Sequence, residues 1–141
     1  MAKIVQLGEM SDTKLKEMLE NNREEMFNLR FQQASARLKD MSQVKRVRRD
    51  AAQLETVLHN REQAIAAAAT HPALADALRG QEWEATARFS YEETAWAVEF
   101  KDSTGRALGT ALVNLNARYP SRRDARQGKT RQVVRSYQLN G

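Results

Sequence analysis

Closely spaced positive charge is the one chemistry that this sequence concentrates. Lys45, Arg46, Arg48 and Arg49 stand together, and no acid lies between positions 41 and 49. On a helix, Lys45, Arg48 and Arg49 share a face at spacings of three and four, away from Val44 and Val47. Arg37 and Lys39 come just before, opposed locally only by Asp40, and Arg30 lies further back. Arginines and lysines in this density suit a phosphate backbone, which relieves their mutual repulsion. The plainer alternative is a solvated basic face. A second cluster holds Arg118, Arg122, Arg123, Arg126, Lys129, Arg131 and Arg135, with Asp124 as its one acid. Tyr119, Pro120 and Gly128 interrupt it, so it reads as a long loop. An arginine-rich loop tracks a nucleic-acid backbone and Tyr119 suits an exposed base. A disordered basic loop is the alternative.

Little else in the chain is arranged for chemistry. Glu24 and Glu25, like Glu92 and Glu93, are sequence neighbours that do not converge on one point, so they make poor acid–base pairs. His59 and His71 are the two histidines, each isolated, and there is no cysteine, which removes disulfides and thiolate zinc sites. No Gly-rich phosphate loop, nucleophile elbow or paired-histidine metal motif occurs. No cofactor is expected. The 141 residues carry 23 basic and 18 acidic side chains, a net charge of +5, which favours a polyanionic partner. No apolar run approaches the ~20 residues that span a bilayer, and the first ten residues lack the apolar stretch of a signal peptide. A soluble cytoplasmic protein is the expectation, and an enzyme the least favoured class.

Two helices must position the first cluster. After a cap at Ser11 or Asp12, the residues Leu15, Leu19, Asn22, Met26, Leu29 and Gln33 recur at steps of three and four. That is one seam of a helix over about 12–38, with Phe27, Phe31, Ala34 and Leu38 widening its apolar face. Lys39, Asp40 and Met41 break the pattern and Ser42 caps the next helix. Val44, Val47, Ala51, Leu54, Leu58 and Ile65 trace this second amphipathic helix. The connection is too short for anything but an antiparallel hairpin. Polar Asn22, Gln33 and Arg61 on the seam serve register rather than chemistry. Residues 1–10 force no regular element, although Ile4, Val5 and Leu7 can pack on a neighbour.

The second cluster needs a different scaffold. AIAAAA at 64–69 prolongs the second helix, Pro72 opens a short one and Gly80 stops it. Beyond Gly80 the period becomes two. Trp83, Ala85, Ala87, Phe89 and Tyr91 form one face, as do Trp96, Val98 and Phe100. Ala107, Gly109, Ala111, Val113 and Leu115 form a third run, and Arg131, Val133, Arg135, Tyr137 and Leu139 a fourth. The fold class is therefore α+β: an N-terminal antiparallel two-helix hairpin, a short helix and a small antiparallel sheet. Its parts are a hairpin over 1–66, a linker and short helix over 67–80, and a β-rich basic extension over 81–141.

Two motifs in the first part carry a specific likeness. Phe27-Asn28-Leu29-Arg30-Phe31-Gln32, followed by Lys45-x-Val47-Arg48-Arg49-Asp50-x-Ala52 and Thr56-Val57-Leu58, resembles the bacterial large-subunit ribosomal protein family numbered twenty-nine. The likeness covers about residues 3–62. It implies a helical hairpin on large-subunit ribosomal RNA, near the nascent-chain exit tunnel and beside the large-subunit protein numbered twenty-three. Trigger factor and the signal-recognition particle dock at that rim. Carried over residue by residue, the RNA-facing candidates are Arg30, Gln32, Lys45, Arg46, Arg48 and Arg49. The chain departs from the family where Ala36-Arg37-Leu38 replaces a frequent Gly-Gln-Leu and Lys39-Asp40-Met41 a frequent Glu-Asn-Pro. Ala51 and Gln53 stand where the family often has isoleucine and arginine. A ribosome-bound structural protein is the implied function, with a stand-alone RNA-binding or coiled-coil module as the alternative.

Overall fold

Ser11 begins the first long helix as expected. In the computed structural model, which describes residues 4–140, its hydroxyl accepts the Lys14 N–H at 3.3 Å. Helix α1 covers Ile4–Glu9, α2 Asp12–Ala34, α3 Ser42–Ala69 and α4 Pro72–Leu78. Strands β1 Trp83–Ser90, β2 Ala95–Asp102 and β3 Ala107–Val113 come next, then α5 Arg122–Arg126 and β4 Val134–Leu139. The chain is thus α+β, helices first, then a four-stranded antiparallel sheet in the order β1-β2-β3-β4. It divides into two compact units, Met1–Asn60 and Arg61–Gly141.

The first unit is held by Leu7, Leu15, Leu19, Leu54, Val57 and Leu58, with Met10, Met18 and Ala51 packed around them. Leu7 draws residues 4–9 into a short helix, where the sequence alone forced none. Of the expected seam of α2, Leu15, Leu19 and Leu29 are buried, Asn22 and Met26 are half-buried, and Gln33 is exposed. The stripe expected to widen the apolar face does not: Phe27 is 70% and Phe31 63% exposed. Successive residues turn about 100° around a helix, so Phe27 lies well off the line through Leu19 and Met26.

Helix α2 also ends earlier than about 38. Ala36 adopts φ 56, and its N–H donates to the Gln33 carbonyl at 3.1 Å. The Arg37 N–H donates to the Gln32 carbonyl at 2.8 Å. This pair of bonds around a left-handed residue is a Schellman stop, which satisfies the last carbonyls and ends the helix. Glycine is its usual marker, and this chain makes it with alanine. At the start of α3 the expected roles are reversed. Asp40 Oδ1 accepts the Ser42 N–H at 2.9 Å and the Ser42 hydroxyl at 2.6 Å, so the aspartate does the capping.

The second unit has its own core. Ala64 and Ala68 of α3 and Leu74 and Leu78 of α4 meet Ala87, Val98, Phe100, Ala111 and Val113 of the sheet. The two compact units meet after Asn60, and α4 contributes Leu74 and Leu78 to this second core. The register places Ala87 opposite Val98 and Val98 opposite Ala111, so the expected alternating faces come together on one side. Strand β4 differs from expectation. It starts at Val134, and Val113 pairs with Val134 while Leu112 pairs with Ser136. The extra residue is a bulge at Arg135, so the alternation read through Arg131, Val133 and Arg135 slips out of phase. Gly109 permits the close approach of β4, because a Cβ there meets the Gln138 carbonyl oxygen at 2.8 Å.

Candidate nucleic-acid interface

Helix α3 turns Val47 inward and leaves Lys45, Arg46, Arg48 and Arg49 exposed. Among the described residues, no ion pair within 4 Å engages any of these four side chains. Their charge is offset only at a distance. Hydrogen bonds from the Ser42 hydroxyl and then the Ser42 N–H hold the Asp40 carboxyl below the usual carboxylate range, and the Arg46 charge adds to this. Arg30, Gln32, Arg37 and Lys39 are exposed as well. Arg30 of α2 and Arg48 of α3 line the same shallow cleft, together with Met26, Phe27, Ala51 and Glu55. The structure thus brings Arg30 to the cluster on α3. Near that cleft Arg23 meets Glu20 at 2.7 Å and Glu55 at 3.7 Å. Exposed pairs of this kind add little stability.

Phe27 and Phe31 flank Arg30 in sequence, one helical turn apart, and both are exposed. The sequence pattern assigned them to packing. The available signal was phase: Leu15, Leu19, Met26 and Leu29 already complete a seam, which leaves the two phenylalanines to solvent. Thr56 donates its hydroxyl to the Ala52 carbonyl at 2.7 Å.

The second cluster is a folded loop. The Asn114 N–H donates to the Val133 carbonyl at 2.8 Å and closes its base. Inside it, Ser121 Oγ accepts the Asp124 N–H at 3.2 Å and starts α5. Ser121-x-x-Asp124 is a capping pattern legible in the sequence but not read there. Arg118, Arg122, Arg123, Arg126 and Lys129 are exposed, and Lys129 pairs with Asp124 at 3.4 Å.

Arg131 is used differently from its neighbours. Its Nε donates to the Ala117 carbonyl at 2.8 Å and Nη2 to the Leu115 carbonyl at 2.7 Å. Nη1 donates to the Tyr119 hydroxyl at 3.2 Å, and the guanidinium lies 4.4 Å from the centre of the Tyr119 ring. The side chain expected to reach phosphate is thus committed to the loop. Arg135 likewise donates to the Glu93 carbonyl at 2.7 Å. The sheet aromatics serve packing: Phe100 is buried, edge-on to Trp83 at 5.4 Å, and Phe89 meets Trp96 at 5.5 Å.

Among the described residues no group of acids and histidines is placed to hold a metal ion, and no helix is long and apolar enough to cross a membrane. Fold and charge define a class: a small basic α+β protein whose distinctive surfaces are electrostatic. Comparison with known proteins narrows it. The family model described as Ribosomal L29 protein matches residues 6–61. The large ribosomal subunit protein uL29 of Mycolicibacterium smegmatis is 41% identical over 61 residues, 43% of this chain and 79% of that protein. The uL29 of Petrotoga mobilis is 38% identical over 63 residues, 45% of this chain and 96% of that protein. The uL29 of Desulforudis audaxviator is 40% identical over 63 residues, 45% of this chain and 94% of that protein. The chain belongs to the ribosomal L29 family, and residues 62–141 extend beyond the matched segment.

Proposed function

We propose that this chain is a structural constituent of the large ribosomal subunit that binds ribosomal RNA near the nascent-chain exit tunnel. In this reading α2 and α3 form an antiparallel hairpin. Leu15 and Leu19 cluster with Leu54, Val57 and Leu58, and Arg23 reaches Glu55, which supports opposite chain directions. The hairpin lies on RNA through Lys45, Arg46, Arg48 and Arg49, with Arg30, Gln32, Arg37 and Lys39 beside them. Its protein neighbour is the large-subunit protein numbered twenty-three, and trigger factor and the signal-recognition particle dock at the same rim. The chain works ribosome-bound in the cytoplasm and catalyses nothing.

One observation carries the proposal. The family match over 6–61 coincides with the first compact unit, and that unit holds a run of exposed, unpaired cations on α3. Such a run costs stability by self-repulsion unless a polyanion neutralises it. The extension adds a second RNA contact through Arg118, Arg122, Arg123, Arg126 and Lys129.

Co-sedimentation with large subunits through a high-salt cushion tests the proposal. A subunit constituent pellets with the particle, whereas a stand-alone RNA-binding module stays in the supernatant. Arg48→Gln with Arg49→Gln is the matched control and releases at lower salt than the wild type.

A further inference from the structure

The loop between β3 and β4 builds something that phosphate contact alone does not require. Tyr119 is 77% exposed, yet it is not loose. Arg131 covers one side of its ring at 4.4 Å and holds its hydroxyl at 3.2 Å. The same guanidinium is fixed by the carbonyls of Ala117 and Leu115. An aromatic side chain in solvent ordinarily keeps its rotamer freedom and loses it on binding. Here the Arg131 contacts restrict that freedom while most of the side chain stays in solvent. Arg118 and Ser121 flank the ring along the chain. Arg122, Arg123 and Arg126 come next on α5, all exposed, with Asp124 the only acid and Lys129 already paired to it.

We propose that Tyr119, positioned by Arg131, is a stacking platform for an unpaired nucleobase, so that the extension recognises single-stranded rather than duplex RNA. The proposal rests on the reading that the extension meets RNA, and it names which kind. A flat aromatic face beside a track of arginines is what an unstacked nucleotide needs: the ring takes the base and the cations take the flanking phosphates. In a duplex the bases are stacked on one another and offer no free face to Tyr119. Arg131 is a positioning residue in this scheme, since its donors are spent on the loop.

The test is NMR titration of the full chain with a single-stranded oligoadenylate of eight nucleotides and with an RNA duplex of equal length. Affinity is read from the signals of residues 117–131. With the single strand, the Tyr119 ring protons shift upfield. With the duplex they do not. Tyr119→Leu weakens single-strand binding about tenfold and leaves its salt dependence unchanged, whereas Tyr119→Phe, which keeps the ring against the guanidinium and loses only the hydroxyl bond, weakens it less. Arg131→Lys keeps the charge and weakens binding as Tyr119→Leu does. A further variant with Arg122, Arg123 and Arg126 replaced by glutamine separates the two readings. It lowers the salt slope by about two units if all three meet single-strand phosphates. Should the slope fall while Tyr119→Leu binds normally, the stacking platform is wrong and the RNA contact stands. Should neither variant change binding, the extension does not meet RNA and the platform falls with it.

Discussion

Ala36 occupies the left-handed region at φ 56, where an L side chain costs about 1–2 kcal/mol relative to its ordinary conformations. Glycine avoids that cost and gives back part of it as extra freedom in the unfolded chain. Ala36→Gly is therefore expected to stabilise the first unit by about 0.5–1 kcal/mol, read as a higher melting temperature. A lower one means that the Schellman stop does not form. Asp40 sets the other side of this turn. Its carboxyl is held below the usual range by Ser42, so its contribution exists above its unfolded pKa and disappears as pH falls through the folded value. Titration followed by carbon NMR should find Asp40 below an exposed aspartate, and Ser42→Ala should move it back up. Under the proposed function Arg48 and Arg49 serve the RNA contact. Replacing both by glutamine should leave helicity unchanged and reduce the salt slope of RNA binding by about two units on a duplex estimate. An unchanged slope would remove this face from the interface.

At the scale of elements, burial separates positions that the sequence pattern treated alike. Leu54 is 2% exposed within the first core, whereas Met26 is half-buried and lines an open cleft. A carboxylate at Leu54 is left without water or a partner, which costs several kcal/mol, comparable to the stability of so small a unit. Leu54→Asp should abolish cooperative unfolding by circular dichroism, while Met26→Asp should only lower the midpoint. Equal effects would mean the cleft is closed. In the sheet, Gly109→Ala forces a methyl group to within 2.8 Å of the Gln138 carbonyl oxygen, a backbone atom that cannot yield as the Leu139 side chain at 3.3 Å can. Faster amide exchange is expected across β3 and β4 and not across β1.

Periodicity disclosed α2, α3, α4 and the strands because burial repeats with the geometry of each element, and Pro72 and Gly80 marked α4. It failed where one local bond overrode the pattern. Ala36 ended α2 without the usual glycine, the bulge at Arg135 shifted β4, and Ser121 started a helix inside a presumed loop. At the candidate site, charge density located Arg48, Arg49 and the arginines of α5. It did not show that Arg131 is spent on Tyr119, because that geometry joins positions twelve residues apart.

At the scale of the whole chain, family segment and first compact unit end together, at 61 and 60. Among the described residues no member of the first core lies beyond Leu58, so a chain ending after Arg61 retains that core. It should still enter large subunits and be released at lower salt than the full chain, because the cations of α5 are gone. The central claim is that the cationic face of α3 lies on ribosomal RNA. A cryo-EM reconstruction of large subunits containing the full chain tests it most directly. The expected map places α2 and α3 at the tunnel rim, with Lys45, Arg48 and Arg49 against RNA phosphates. A map in which that face points into solvent, or meets only protein, contradicts it.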